Sequence, residues 1–360
     1  MSQQTVNPSM VTLARESRGI TQTELAKIIG VSQALLSKIE SGVKPTTESI
    51  LGEIAKALDY PENFFFQTDT LYGPSLGEFF HRRRQDISVK VIARVHAQIN
   101  IIMIHIERLL RSVDLPPIKI HHLDLNEFGG RPHKVAAAVR AMLQIADGPI
   151  PNVIRLIENA GGIVVRYPFG TPQIDAIGRW VPNLPPLFFV NESLTTDRER
   201  MSLCHELGHL VMHDVPNADM ETEANQFAAS FLMPEQDIAP HLTRISLDRL
   251  SALKPYWRVS MGALLYRATE LKKVPASIAK LLWVQMAQRG YRRREPSELD
   301  LASEEATVLR DILELHRTHY GYDMEEFSKV LAARPAELMA LYKLAQSPTV
   351  TRPPLRLLRA

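Results

Sequence analysis

The chain has a single cysteine, Cys204, among its 360 residues. One thiol excludes an internal disulfide framework and suits a reducing compartment. Long uncharged apolar runs are missing as well. The most apolar stretch, 89–110, carries Lys90, Arg94, His96, His105, Glu107 and Arg108. A membrane span does not tolerate that charge density. No signal-peptide pattern opens the chain, because Arg15, Glu16 and Arg18 interrupt its first apolar stretch. The net charge is only +2, which excludes a globally basic nucleic-acid coat but leaves room for a local basic face. Apolar residues at 45% and charged residues at 23% describe an ordinary globular chain. Its length exceeds what one core serves, so two or three domains are expected, with no membrane contact and a cytoplasmic location. No repeat stands out.

What is present centres on 200–214, which contains His205-Glu206-Leu207-Gly208-His209. On a helix, residues four apart lie about 6 Å apart along the axis, so His205 and His209 can offer two imidazole nitrogens to one metal ion. Glu206, about 100° further round, can reach a water on that metal without being a ligand. Leu203, Leu207, Leu210 and Val211 frame the motif and point to a buried helix. Two core histidines that merely hydrogen-bond are the plainer alternative. Cys204 adjoins His205 but faces another direction, and reads as a small core residue. Zinc needs a third protein ligand and one open position. His213 continues the spacing, yet straight helix puts it about 12 Å from His205. Glu221 and Glu223, on the following helix, are the better candidates, and periodicity does not choose between them.

The N-terminal 8–66 reads as a helical bundle. Helices are expected at 8–18, 22–29, 33–40 and 47–58, with Thr21 and Ser32 as N-caps, Glu24 supporting a first turn, and Gly30-Val31 between the second and third. Leu25, Ala26, Ile29, Val31, Leu36, Ile39, Ile54, Ala55 and Leu58 supply a core. Helix, glycine-containing turn and helix form a helix-turn-helix signature. Through Gly19-Ile20-Thr21-Gln22, Glu24-Leu25-Ala26, Gly30-Val31-Ser32-Gln33 and Leu36-Ser37-Lys38-Ile39-Glu40-Ser41-Gly42 the segment resembles the phage-repressor/Cro-like (XRE) DNA-binding domain. That resemblance implies a third helix in the major groove of a double-stranded operator. Gln33, Ala34, Ser37 and Lys38 would then face base edges or nearby phosphates, and Gln22 and Ser32 the backbone. Glutamine suits adenine, and serine and lysine suit bases or phosphates. A docking or dimerisation domain of the same fold is the alternative.

Further along, 67–80 reads as a linker and His81-Arg82-Arg83-Arg84 as a short basic cluster. A helix at 88–112 is apolar enough for burial between domains or in a homodimer interface, and the pattern leaves both open. Helices at 135–145 and 152–159 precede strands at 163–167, 176–181 and 187–191. A helix at 221–233 ends at Pro234, another spans 261–271, and two or three fill 303–345 before a Pro/Arg-rich tail expected to be disordered.

Asp197-Arg198-x-Arg200, the His-Glu-Leu-Gly-His-Leu run at 205–210, Glu223-Ala224-Asn225-x-Phe227-Ala228 and Leu232-Met233-Pro234 resemble the ImmA/IrrE family of metallopeptidases. Trp257-Arg258-Val259-Ser260 and Ala263-Leu264-x-x-Arg267-Ala268 extend the likeness over about 130–296. The resemblance implies Zn²⁺ as cofactor, Glu223 as third ligand, and cleavage of a protein substrate, often a DNA-binding repressor. Fusion to an XRE domain is familiar in that family. Four regions are therefore expected: 8–66 for DNA, 67–129 as linker and connecting helix, 130–296 as peptidase and 297–360 as a helical C-terminal region. The fold class is mostly α with an α+β zincin-like core and a small mixed sheet. Bound zinc would lower the pKa of water and polarise a scissile carbonyl, with Glu206 as catalytic base passing the proton to the leaving amine. Tyr256, His241 and Arg198 are conceivable oxyanion partners. A non-enzymatic regulator whose zinc fold senses a ligand or docks a partner is the alternative function.

Overall fold

A computed structural model describes residues 5–74, 87–343 and the backbone of 356–357. The basic cluster 81–84, part of the expected linker and most of the Pro/Arg-rich tail lie outside the described residues. The chain forms two compact units: 116–308 is one, and the segments before and after it make the other.

The first unit begins with α1 (Pro8–Ser17), α2 (Gln22–Ile28), α3 (Gln33–Glu40) and α4 (Glu48–Leu58). Their boundaries follow local chemistry. Thr21 and Glu24 form a reciprocal capping box on α2. Ser32 and Thr47 cap α3 and α4 by accepting from the backbone N–H of Leu35 and Ile50. Met10, Val11, Leu25, Leu36, Ile54, Leu58 and Phe65 close the core between them. The long helix α5 (Val89–Leu110) follows, then a two-residue strand β1 (Val113–Asp114). Among the described residues α5 alone is long and apolar enough to cross a membrane, but 61% of its apolar window is buried inside the protein. Ala97, Ile101 and Ile104 of α5 join the core of the four helices.

The second unit is built from α6 (Pro132–Met142), α7 (Val153–Asn159), β2 (Ile163–Tyr167), β3 (Ala176–Arg179), β4 (Leu187–Asn191), α8 (Thr196–Met212) and α9 (Met220–Leu232). A short turn of helix α10 (Glu235–Ile238) leads to α11 (Leu247–Trp257), α12 (Met261–Glu270) and α13 (Ala276–Gln288). The sheet order is β2-β4-β3, with β2 parallel and β3 antiparallel to the central β4. Phe188, Leu203, Leu207, Phe227, Phe231 and Trp257 lie in its core. Buried ionic groups pin α8. The Arg200 guanidinium, fully buried, pairs with Glu304 and donates to the carbonyls of Arg258 and Ile150. Glu304 also accepts from the N–H groups of Val153 and Ile154, a carboxylate placed where a helix N-terminus favours one. Lys254 bridges Asp197 and Glu295 at 2.6 and 2.7 Å. Three helices, α10, α11 and α13, have no counterpart among the elements expected from the sequence.

The chain then returns to the first unit with α14 (Val308–His319), α15 (Met324–Leu331), α16 (Pro335–Tyr342) and a strand β5 (Arg356–Leu357) antiparallel to β1.

Candidate metal centre and DNA-reading helix

Helix α8 carries both histidines and Glu206. Asp197 and Glu199 in its first turn oppose the positive end of the helix dipole. Gly208 lets α9 approach: a Cβ there would stand 2.9 Å from Cδ1 of Phe227. The Nε2 atoms of His205 and His209 face each other at 2.9 Å. A carboxylate from α9 meets them, with Oε1 of Glu221 3.2 Å from His209 Nε2 and Oε2 3.7 Å from His205 Nε2. These three are a group whose candidate ligand atoms all lie within 4.8 Å of one another. The third group that the geometry brings to the pair is thus Glu221, where the resemblance implied Glu223. Two residues on a helix are about 200° apart, so only one of the two carboxylates can face the histidines.

Glu223 instead lies behind the site. Its Oε2 is 3.0 Å from Nε2 of His213, and Nδ1 of His213 is 3.1 Å from Nδ1 of His209. The protons follow from the acceptor at the end of the chain. The carboxylate accepts, so His213 carries its proton on Nε2 and its Nδ1 is a lone pair. His209 must then donate from Nδ1, which leaves its Nε2 lone pair for a metal. His213 does this because α8 stops before it: His213 is the C-cap with extended backbone (φ −121, ψ 115), and its ring folds back on His209. The expectation of a straight helix continuing through His213 fails there. Burial pushes the His213 pKa below the usual histidine value.

His205 is fixed by a different partner. The Nδ2 of Asn225 donates to the carbonyl of Glu221 at 2.8 Å, so its Oδ1 is the atom 3.1 Å from His205 Nδ1. His205 therefore donates from Nδ1 and also turns an Nε2 lone pair inward. Two imidazole lone pairs and a carboxylate oxygen converge on one point, a donor set that suits zinc. Cys204 takes no part. It is fully buried, and burial pushes its thiol up to about 12.

Glu206 is buried, at 6% exposure, and outside the ligand cluster. The backbone N–H of Gly178, in edge strand β3, donates to its Oε2 at 2.6 Å. A Cβ at position 178 would stand 3.1 Å from that oxygen and 3.3 Å from Cγ of Leu210, so a side chain there would force Glu206 and Leu210 to give by a few tenths of an ångström. Sequence reasoning missed Gly178 and Asn225. An isolated glycine within an expected strand is itself a sign of close backbone approach, and that sign was available. Of the conceivable oxyanion partners, Arg198 is held by both oxygens of Asp175 at 2.7 and 2.8 Å. His241 and Tyr256 stack on each other, with centroids 5.5 Å apart.

In the first unit, Gln33, Ala34 and Lys38 are exposed on α3, and Ser37 is half-buried. Ser32 caps the helix through its Oγ. A bonded line fixes its N-terminus: Arg15 donates to Glu40, Gln22 Nε2 donates to Glu40 Oε2 at 2.8 Å, and Gln33 Nε2 donates to Gln22 Oε1 at 2.9 Å. Gln22 and Gln33, expected from resemblance to touch different parts of DNA, are therefore one unit.

Comparison with known proteins agrees with this division. Residues 158–269 match the model of the IrrE N-terminal-like domain of the M78 peptidase family, and residues 12–65 match a helix-turn-helix model. No curated protein matches the chain. The chain is thus similar to an XRE-type helix-turn-helix domain near its start and, further along, to the IrrE-like domain of the M78 peptidase family.

Proposed function

We propose that this protein is a cytoplasmic, DNA-binding transcriptional regulator whose second unit is a zinc endopeptidase acting on a regulatory protein, either a partner repressor or the chain itself. One observation carries the enzymatic part: a buried carboxylate, Glu206, is held in place beside a convergent donor set to which it does not belong. A purely structural metal site has no use for such a group. Zinc bound by His205, His209 and Glu221 would lower the pKa of water towards about 7 and polarise a scissile carbonyl.

The residues of the chain do the rest. Glu206 accepts the proton of the attacking water and delivers it to the departing amine. Gly178 N–H fixes the carboxylate through its Oε2. Asn225, His213 and Glu223 hold the imidazoles in the tautomers that ligation needs. On the DNA side, Gln33 and Ser37 would read base edges, Ala34 would pack on the groove, Lys38 would meet phosphate, and Gln22 and Ser32 would contact the backbone.

The test is Glu206→Gln, which keeps shape and hydrogen bonding but removes the base. Protein termini are compared across the whole host under several stresses for wild type and variant. We expect a repressor fragment in the wild type to fall by about 10²-fold or more with the variant, while zinc content and folding persist. Identical termini in the two strains, together with loss of regulation in His205→Ala, would reject the enzyme and leave a zinc-dependent sensor.

A further inference from the structure

The three C-terminal helices retrace the first three. Placed in constant register, Leu13 falls on Leu315, Arg15 on Arg317, Gly19 on Gly321, Glu24 on Glu326, Lys27 on Lys329, Ala34 on Ala336 and Leu36 on Leu338. So few identities do not stand out in the sequence, but the backbone repeats the same punctuation. α1 ends at Ser17 and α14 at the matching His319. Gly19 and Gly321 both take left-handed angles, φ 64 and 68, and so do Gly30 and its counterpart Ala332, φ 70 and 51. The N-cap of α2, Thr21, accepts from Glu24 N, and the N-cap of α15, Asp323, accepts from Glu326 N. Across the turn, Val31 N donates to Ala26 O, and Ala333 N donates to Ser328 O. The buried pairs also correspond: Met10 with Ile312, Val11 with Leu313, Leu25 with Phe327 and Leu36 with Leu338.

The groups that could touch DNA do not correspond. Where the first copy has Gln22, Ser32, Gln33, Ser37 and Lys38, the second has Met324, Arg334, Pro335, Met339 and Ala340. Of these only the Arg334 guanidinium could bond a base edge or a phosphate, and it donates to the first copy. The second copy is bonded to the first instead. Both oxygens of Glu337 accept from Arg18, at 2.8 and 3.0 Å. Arg18 is also held by the Leu58 carbonyl and lies over the Tyr60 ring. Arg334 donates to the Tyr60 carbonyl at 3.3 Å and lies 3.4 Å from Asp59. Ala332 enters the hydrophobic core of the first copy.

We infer that residues 308–342 are a second helix-turn-helix, which reads no DNA and holds the first copy, so that each chain presents one base-reading helix. This rests on α3 being the helix that meets DNA. The test uses the full chain and a library of random-sequence duplexes. Wild type selects its preferred duplex, and variants are measured on it. Met339→Glu with Ala340→Glu, both at exposed positions, should keep affinity within about twofold. Gln33→Ala with Ser37→Ala should lose about tenfold or more. Comparable loss from the α16 glutamates would overturn the inference, because it would place α16 on DNA. Hydrogen exchange on the full chain tests the holding role without DNA. Arg334→Ala with Glu337→Ala should speed exchange at the end of α1 and around residues 58–60, and unchanged protection there would overturn it. If wild type selects no duplex, the reading of α3 fails, and exchange still decides whether the second copy holds the first.

Discussion

The candidate metal centre and the proposed DNA-reading helix place their groups in opposite surroundings. Around the centre each group has a second one behind it: Asn225 behind His205, His213 and Glu223 behind His209, Gly178 behind Glu206. His209, His213 and Glu206 are buried, His205 and Glu223 are half-buried and Asn225 is exposed, and the directions of these groups are set before any ligand arrives. On α3, Ala34 and Lys38 face solvent, while Gln33 is held by Gln22. Chemistry on a peptide bond depends on atoms placed to a fraction of an ångström. Contact with a groove tolerates side chains that settle on arrival, since phosphate contacts supply position and bases supply discrimination.

The comparison can be sharpened from its rigid end first. Gly178→Val should push β3 off α8 and move the Glu206 carboxylate. Cleavage of the fragment found in the termini comparison should fall about 10²-fold, the scale expected for a misplacement near 1 Å. Zinc content should stay near that of wild type. Equal activity in Gly178→Val would show that the close approach of β3 does not set the base.

At the adaptable end, Gln33→Ala and Ser37→Ala should each cost on the order of 1–3 kcal/mol on the selected duplex and much less on random DNA. Lys38→Ala should weaken both and lower the salt slope by about one. Binding isotherms at several salt concentrations check both statements. A specific loss from Lys38→Ala alone would break the division between reading and positioning.

The smallest effect is expected at Cys204. Its thiol, pushed up to about 12 by burial, is almost wholly protonated at pH 8. The folded protein should resist alkylation there, and the denatured protein should react, as intact-mass measurement would show.

Much of this was legible in the sequence because local chemistry set it. Caps at Thr21 and Ser32, the glycine turns between helices and the β-branched run at 163–167 pointed to the helices of 8–66 and the strands of the sheet. α11 was hidden by Pro255 within it, although Ser246 caps it in the ordinary way. Which carboxylate meets His205 and His209 was not legible, since Glu221 and Glu223 flank the same apolar stripe and only the start and rotation of α9 separate them. His213, read from the sequence as a poor metal ligand, lies behind His209; what was missed is that α8 ends at Met212, although Pro216 just beyond is a stop signal. The repeat of the first three helices was hidden for the opposite reason. Its punctuation is kept in backbone angles, while Gly30 has become Ala332 and the surface has been rewritten.

The account rests most directly on which carboxylate completes the metal centre. Zinc binding to wild type, Glu221→Ala and Glu223→Ala should be measured by competition with a chromophoric chelator. We expect one zinc per chain in wild type, loss of most binding in Glu221→Ala, and a roughly 10–100-fold weaker site in Glu223→Ala, the range typical when a group behind a ligand is removed. Near-normal affinity in Glu221→Ala with abolished binding in Glu223→Ala would contradict it.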